Sequence, residues 1–218
     1  MSASPKLQRP TPYVWVTWIT KLLAGETHCT WSVWLRANYK TAPMPSDFDS
    51  ASWKIGHTAL LRKTIGEMTT DGFFCSTEDQ NSFTMMGNVG TLAGKPDLIA
   101  SSEKGYWIVD VKTGQPRVSD KVQVMIYMWA IPLVRTKFKG KKFDGKVQYA
   151  NNFQIIMADE VDRTFIKNVG ELMKEVCSDK PPSSVPSFAE CRYCPITPED
   201  CSERVEVEDK YVGETDEF

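Results

Sequence analysis

The apolar positions of this chain change period several times, and the changes mark out its elements. Trp31, Trp34 and Leu35 recur at i, i+3, i+4, which predicts that residues 1–40 are largely helical. The following "TAPMPSDFDS" holds two prolines and several Asp/Ser turn formers, and reads as a loop. "WKIGHTALLRKTIGEM" returns to helical spacing, with His57, Leu60, Leu61 and Ile65 along one side. Residues 82–89, 97–101 and 106–112 are then β-rich. Beyond Pro116, Val122, Met125, Ile126 and Trp129 form the apolar stripe of a helix bounded by Pro132. "KVQYANNFQIIMA" predicts a strand or hairpin, and Asp159 or Asp162 is placed to cap a helix ending near Cys177.

One pair of apolar runs conflicts with its own ends. In "GKPDLIASSEKGYWIVDVKTGQ" the first run starts at Pro96-Asp97 and the second ends at Asp110-Val111-Lys112. Paired antiparallel around a four-residue loop, 102–105, the runs set Ser101 opposite Tyr106, Ile99 opposite Ile108 and Asp97 opposite Asp110. Alternation sends Asp110 and Lys112 to one face and Val111 to the other. Facing side chains on a sheet have Cβ atoms about 4.5–5.5 Å apart. Two carboxylates that close repel each other unless a cation lies between them. A hard divalent ion bound by one or two carboxylates is suited to phosphate oxygens, and a lysine alongside can face water or the scissile phosphate. A lone D-x-K tripeptide is better read as a surface ion pair. The preceding Pro-Asp and the facing geometry reverse that preference.

The segment "GKPDLIA…YWIVDVKTG" resembles the catalytic core of the PD-(D/E)XK nucleases, with Asp in the D/E slot. "QVMIY" supplies Gln123 and Tyr127, similar to the Q-x-x-x-Y motif of the RecB-like branch. At i, i+4 these two share one helix flank, where they would touch the nucleic acid or orient the active site. His57 matches the branch's upstream histidine, although Trp53 stands a turn earlier where a small residue is usual. The resemblance implies an α/β domain of the restriction-endonuclease-like type, with a central mixed sheet flanked by helices. It assigns Asp97, Asp110 and Lys112 to catalysis. His57, Asp97, Asp110 and the Val111 carbonyl would hold Mn²⁺ or Mg²⁺, and Gln123 and Tyr127 would bind substrate. An imidazole ligand favours manganese.

"CRYCPITPEDC" spaces Cys191, Cys194 and Cys201 as C-x2-C-x6-C, a bunching that points to a bound metal needing a fourth soft ligand. Cys29, Cys75 and Cys177 are the candidates. RecB-like nucleases with iron–sulfur clusters carry one cysteine near the N-terminus and three near the C-terminus, the second followed by proline, as Pro195 is here. That resemblance implies a [4Fe–4S] cluster on Cys29, Cys191, Cys194 and Cys201, joining the two ends of the chain. The family's commoner spacing has fewer residues before the last cysteine. Zinc is the competing metal.

Composition adds less. The 218 residues are 41% hydrophobic and 25% charged with a formal charge of −2, which suits one domain, 1–201, with a real core. A basic run at 135–146 cancels an acidic, flexible tail at 202–218. The basic run is as suited to backbone phosphates as to a plain solvated loop. Trp15, Trp18, Trp31 and Trp34 could stack on bases, but their spacing favours core packing. Without a signal-peptide pattern or a spanning apolar stretch, a cytoplasmic protein in a bacterial or phage-infected cell is expected, and its cysteines should not be disulfides. "GNVGTLAGKPD" has Pro96 where a phosphate loop needs Ser or Thr, so no ATPase is expected. The function implied is a metal-dependent DNA exonuclease acting on single strands or ends, in recombination, phage DNA processing or CRISPR adaptation, with proteins of those pathways as partners. A non-catalytic nucleic-acid binder and a zinc-stapled partner-binding protein are the alternatives.

Overall fold

The computed structural model describes residues 7–42, 44–45 and 49–208. The chain opens with strands β1 (Leu7–Gln8) and β2 (Tyr13–Trp15), helices α1 (Val16–Leu23) and α2 (Thr30–Asn38), and strand β3 (Tyr39–Lys40). Helix α3 (Ser50–Thr70) precedes β4 (Phe74–Thr77), β5 (Phe83–Met86), β6 (Thr91–Gly94), β7 (Leu98–Ser102) and β8 (Gly105–Lys112). Helix α4 (Val118–Val134) is followed by β9 (Asp144–Tyr149), β10 (Phe153–Ile156), α5 (Arg163–Val176) and the single-turn α6 (Phe188–Cys191).

The central sheet is mixed, in the order β10-β9-β8-β7-β4. Strands β7 and β8 pair antiparallel, with Ile99 opposite Ile108 and Ser101 opposite Tyr106. β8 and β9 run parallel. Alternation along these strands gives the sheet two different apolar faces. Leu98, Ala100, Val109 and Val111 pack with Leu60, Leu61 and Met68 of α3. Ile108, Val147 and Ile156 pack with Val124, Ile126 and Ile131 of α4. Helix α4 lies so close to β9 that a Cβ on Gly145 would come within 2.6 Å of Val124 Cγ1. Sheet and helices thus form the expected three-layer α/β arrangement.

Several expectations need correction. Residues 13–15 are a strand, because Val14 is buried beside β6 and Tyr13–Trp15 pair with it in parallel. β2, β6 and β5 make a second, three-stranded sheet that the periodicity did not announce. The β7–β8 hairpin is tighter than supposed: Ser102 pairs with Gly105, so the loop is Glu103-Lys104, with Gly105 at φ 145. Helix α4 passes through Pro132. In the last turn that proline removes only one hydrogen bond, and Arg135 N–H donating to Ile131 O closes the end. Asp162 is the cap of α5, accepting from Phe165 N–H at 2.7 Å. Of the acidic tail, 209–218 lie outside the described residues. None of the described helices is long and apolar enough to cross a membrane.

Parallel pairing of β8 and β9 also locates the basic run. Asp144 is level with Trp107 and Tyr149 with Lys112, so the segment entering β9 sits at the opposite end of β8 from Lys112, roughly 16 Å away. Within it, Arg135 donates to Gln80 O and Ser82 O, Lys137 lies over Phe138 and Lys141 over Tyr106. Each of these three cations is thus engaged by the protein itself, Arg135 by backbone carbonyls and the two lysines by aromatic rings.

Candidate active site and thiol site

Asp97 immediately precedes β7, and the register that sets Leu98 opposite Val109 brings Asp97 level with Asp110. Asp110 is only 1% exposed. Its Oδ2 lies 2.7 Å from Lys112 Nζ, and its Oδ1 accepts from Gln123 Nε2 at 3.1 Å. Lys112 Nζ also donates to Gln123 Oε1 at 2.9 Å. The Gln123 amide therefore holds the carboxylate with one end and the ammonium with the other. The same Nε2 donates to Tyr127 OH at 3.2 Å. Both Gln123 and Tyr127 are buried behind the carboxylate. Their place in the core puts them behind Asp110 and away from solvent.

Asp97 is held from two sides. Its Oδ2 accepts from Val111 N–H at 2.9 Å and lies 3.2 Å from His57 Nε2. Val111 thus engages Asp97 through its amide, while its side chain is buried against α3. His57 comes from α3 on one side of the sheet and Gln123 from α4 on the other, so the four charged groups meet at the sheet's end. The hydrogen bond to Asp97 raises the His57 pKa despite burial. Burial pushes Asp110 up as well; Lys112 opposes this and Asp97 adds to it. Lys112 is pulled down by burial, but Asp110 outweighs that and leaves it raised.

Away from the carboxylates, residues from the two ends of the chain meet around one cavity. Cys29 is the N-cap of α2, Cys191 ends α6, and Cys194 and Cys201 lie in the turns beyond. All four line one cavity of about 660 Å³. Burial pushes the Cys194 and Cys201 thiols up, and the nearby Cys29 and Cys191 add to the rise. Cys75 lies in β4 and Cys177 packs against the Gly90 backbone; neither lines this cavity. Glu190, one residue before Cys191, accepts from the amides of His28 and Cys29, at 3.0 and 3.2 Å. That clasp was not foreseen, since a single glutamate carries no spacing signal. Arg36 also lines the cavity, stacked 3.9 Å over Trp18. Burial lowers its pKa to about 10, and no carboxylate among the described residues pairs with it.

The sequence matches the PD-(D/E)XK nuclease superfamily over residues 7–198. The chain belongs to that superfamily. Its members are generally nucleases and typically use Mg²⁺ or Mn²⁺. None of the curated proteins matches the sequence. Among solved structures, a crystal structure of SSO0001 is similar at 17% identity and a TM-score of 0.48, over 88% of this chain and 89% of that one.

The chemistry of Asp97 and Asp110 suits a divalent ion. Asp110 Oδ2 is buried without a well-directed hydrogen bond, and a second carboxylate stands level with it. Among the described residues, no three His, Cys, Asp or Glu side chains are disposed as a ready-made metal cage. Asp110 is turned onto Lys112 and Gln123, while Asp97 is turned onto His57 and Val111. Both carboxylates take their compensation from these neighbours.

The raised Asp110 pKa has a consequence for stability. The folded protein holds this proton more tightly than the unfolded chain does. Its favourable contribution is therefore complete at low pH and is lost as pH rises through the raised folded value. Asp110→Asn cannot ionise. In metal-free buffer its melting temperature should gain on the parent's between about pH 4 and about pH 7. Thermal melts of the two proteins across that range check this; a difference that stays flat contradicts it.

Proposed function

We propose that this chain is a Mn²⁺- or Mg²⁺-dependent deoxyribonuclease, working as an exonuclease on single-stranded DNA or DNA ends. The observation that carries the reading is the Asp110–Lys112–Gln123 cluster at the end of β8, level with Asp97. A buried carboxylate costs stability, so one kept at a sheet end beside a second carboxylate is consistent with a functional use. In this reading Asp97, Asp110, His57 and the Val111 carbonyl hold the ion. When bound, it supplies positive charge for the phosphate and activation of water. Lys112, partly open to solvent, places an ammonium beside the attacked phosphorus, where negative charge builds up. Gln123 fixes the Lys112 and Asp110 side chains relative to each other, and Tyr127 fixes Gln123.

In the same reading Cys29, Cys191, Cys194 and Cys201 hold a [4Fe–4S] cluster that staples the N-terminal helices to the C-terminal end. Four thiols lining one cavity support that role, although they are not drawn together as a ready-made cage, and the Arg36 guanidinium would offset the charge of a thiolate-bound centre. Recombination, phage DNA processing and CRISPR adaptation all trim DNA ends, and the activity would serve one of these.

The test uses anaerobically purified protein with end-labelled linear and with circular single-stranded DNA. We expect Mn²⁺-dependent loss of the linear strand, with circles spared. Equal attack on circles would exclude the exonuclease mode, and no cleavage of any DNA would exclude the enzyme. Iron with a brown colour supports the cluster, whereas stoichiometric zinc in colourless protein refutes it.

A further inference from the structure

Glu26 stands in the short connection between α1 and α2, a few residues before Cys29, yet its carboxylate is directed to a distant helix. Oε1 accepts from the Ser119 amide at 2.9 Å and Oε2 from the Ser119 hydroxyl at 2.7 Å, across 93 residues of chain. Ser119 lies in the first turn of α4, where an amide has no acceptor within its own helix. An acidic group there also meets the positive end of the helix dipole. Asp120, the acid of that turn, is already turned onto the Arg117 amide and the Tyr149 hydroxyl, at 3.1 and 3.0 Å. Glu26 is therefore a second hold on the head of α4, supplied from another part of the chain. Ser119, Gln123 and Tyr127 recur at i, i+4, i+8 along one row of this helix, and all three are buried. Gln123 is the amide that grips both Asp110 and Lys112.

We infer that Glu26 is a positioning residue for the carboxylate site, setting Gln123 by holding Ser119 one turn before it. The inference rests on the nuclease reading for its catalytic consequence, and on the hydrogen bonds alone for its structural one. With the contact in place, the first turn of α4 is fixed and the Gln123 amide meets its partners in one orientation. Without it, that turn loses a capping contact, and Gln123 loses its fixed place between Asp110 and Lys112. The connection that carries Glu26 is itself held on both sides. Glu26 N–H donates to Lys21 O at 2.9 Å, and the His28 and Cys29 amides donate to Glu190. The region around the four thiols is in this way tied to the head of the helix that orders the carboxylates.

Magnetic resonance of ¹⁵N-glutamine-labelled protein, with Gln123→Ala identifying the signal, reads the Gln123 side-chain amide directly. Glu26→Ala removes the hold, whereas Glu26→Gln keeps an acceptor for the Ser119 amide and a partner for its hydroxyl. Ser119→Ala removes the hydroxyl contact alone. Asp162→Ala removes the cap of α5 instead, and so controls for a general loss of stability. In the parent the Gln123 amide protons should stand apart from those of exposed glutamines, because Asp110 and Tyr127 accept from that nitrogen. They should shift toward the exposed set in Glu26→Ala, part of the way in Ser119→Ala, and not in Glu26→Gln or Asp162→Ala. On end-labelled oligothymidylate with Mn²⁺, Glu26→Ala should lower kcat about 5-fold at unchanged KM, the scale of a lost helix cap, and Glu26→Gln should restore it. A Gln123 signal unmoved in Glu26→Ala overturns the inference. So does a signal moved equally by Asp162→Ala, or a parental kcat in Glu26→Ala. If Glu26→Ala does not fold, Ser119→Ala decides on the same criteria. Parent protein that cuts no DNA refutes the nuclease reading alone, and the Gln123 signal then decides the positioning role by itself.

Discussion

Asp110→Ala and Lys112→Ala are each expected to abolish Mn²⁺-dependent degradation of labelled DNA without unfolding the protein. The loss should be about 1,000-fold or more, the scale on which removing a single preorganised charge from a reacting phosphate or acyl centre is felt. The fold should survive for a reason visible in the site. Asp110 is buried at a cost that raises its pKa, so deleting it removes an electrostatic penalty along with a contact. Lys112 keeps Gln123 Oε1 as a partner when Asp110 is gone. In Lys112→Ala the carboxylate keeps Gln123 Nε2. Initial rates on end-labelled single strands, beside thermal melts of the same preparations, measure both halves. Variants that digest DNA as fast as the parent would place the chemistry elsewhere.

The second large effect belongs to the thiol site. Cys194→Ala should lose the bound iron and much of the soluble yield, whereas Cys75→Ala should keep both. Cys194 lines the cavity with Cys29, Cys191 and Cys201, while Cys75 pairs within β4 on the edge of the sheet. The proposed staple matters because of what it would close. Cys29 N–H already meets Glu190 across 161 residues of chain, a contact between elements with no local reason to stay together. A metal centre there converts binding energy into folding energy, on the order of 10 kcal/mol for thiolate-bound structural metals. Iron content and soluble protein per cell mass, read for both variants, decide it. Full iron in Cys194→Ala would refute the ligand set.

The parts of this fold that could be read from the chain are those governed by local period and pairing. The register placing Asp97 level with Asp110 follows from two short apolar runs and the tight turn that joins them. The i, i+4 spacing of Gln123 and Tyr127 likewise carried their mutual contact. What could not be read depends on the return of distant segments. The strand at Tyr13–Trp15 is three residues long and exists because β6 lies beside it. The basic run was ambiguous because charge carries no topology; only the parallel pairing of β8 with β9 shows that its last residues enter the sheet at the end away from Lys112. The Val111 amide on Asp97 and the Glu190 clasp on Cys29 are backbone contacts, and a side-chain pattern does not encode them. Trp53 was visible as a departure from the family's usual small residue. Its ring contact with His57 needed the course of α3.

The claim beneath all of this is that Asp97 and Asp110 are level with each other to share a divalent ion. Titrating Mn²⁺ into the metal-free protein, with the free ion followed by its paramagnetic resonance signal, tests that claim without DNA. The account predicts saturable uptake by the parent and loss of that uptake in Asp110→Asn. Uptake by Asp110→Asn equal to the parent's would contradict it.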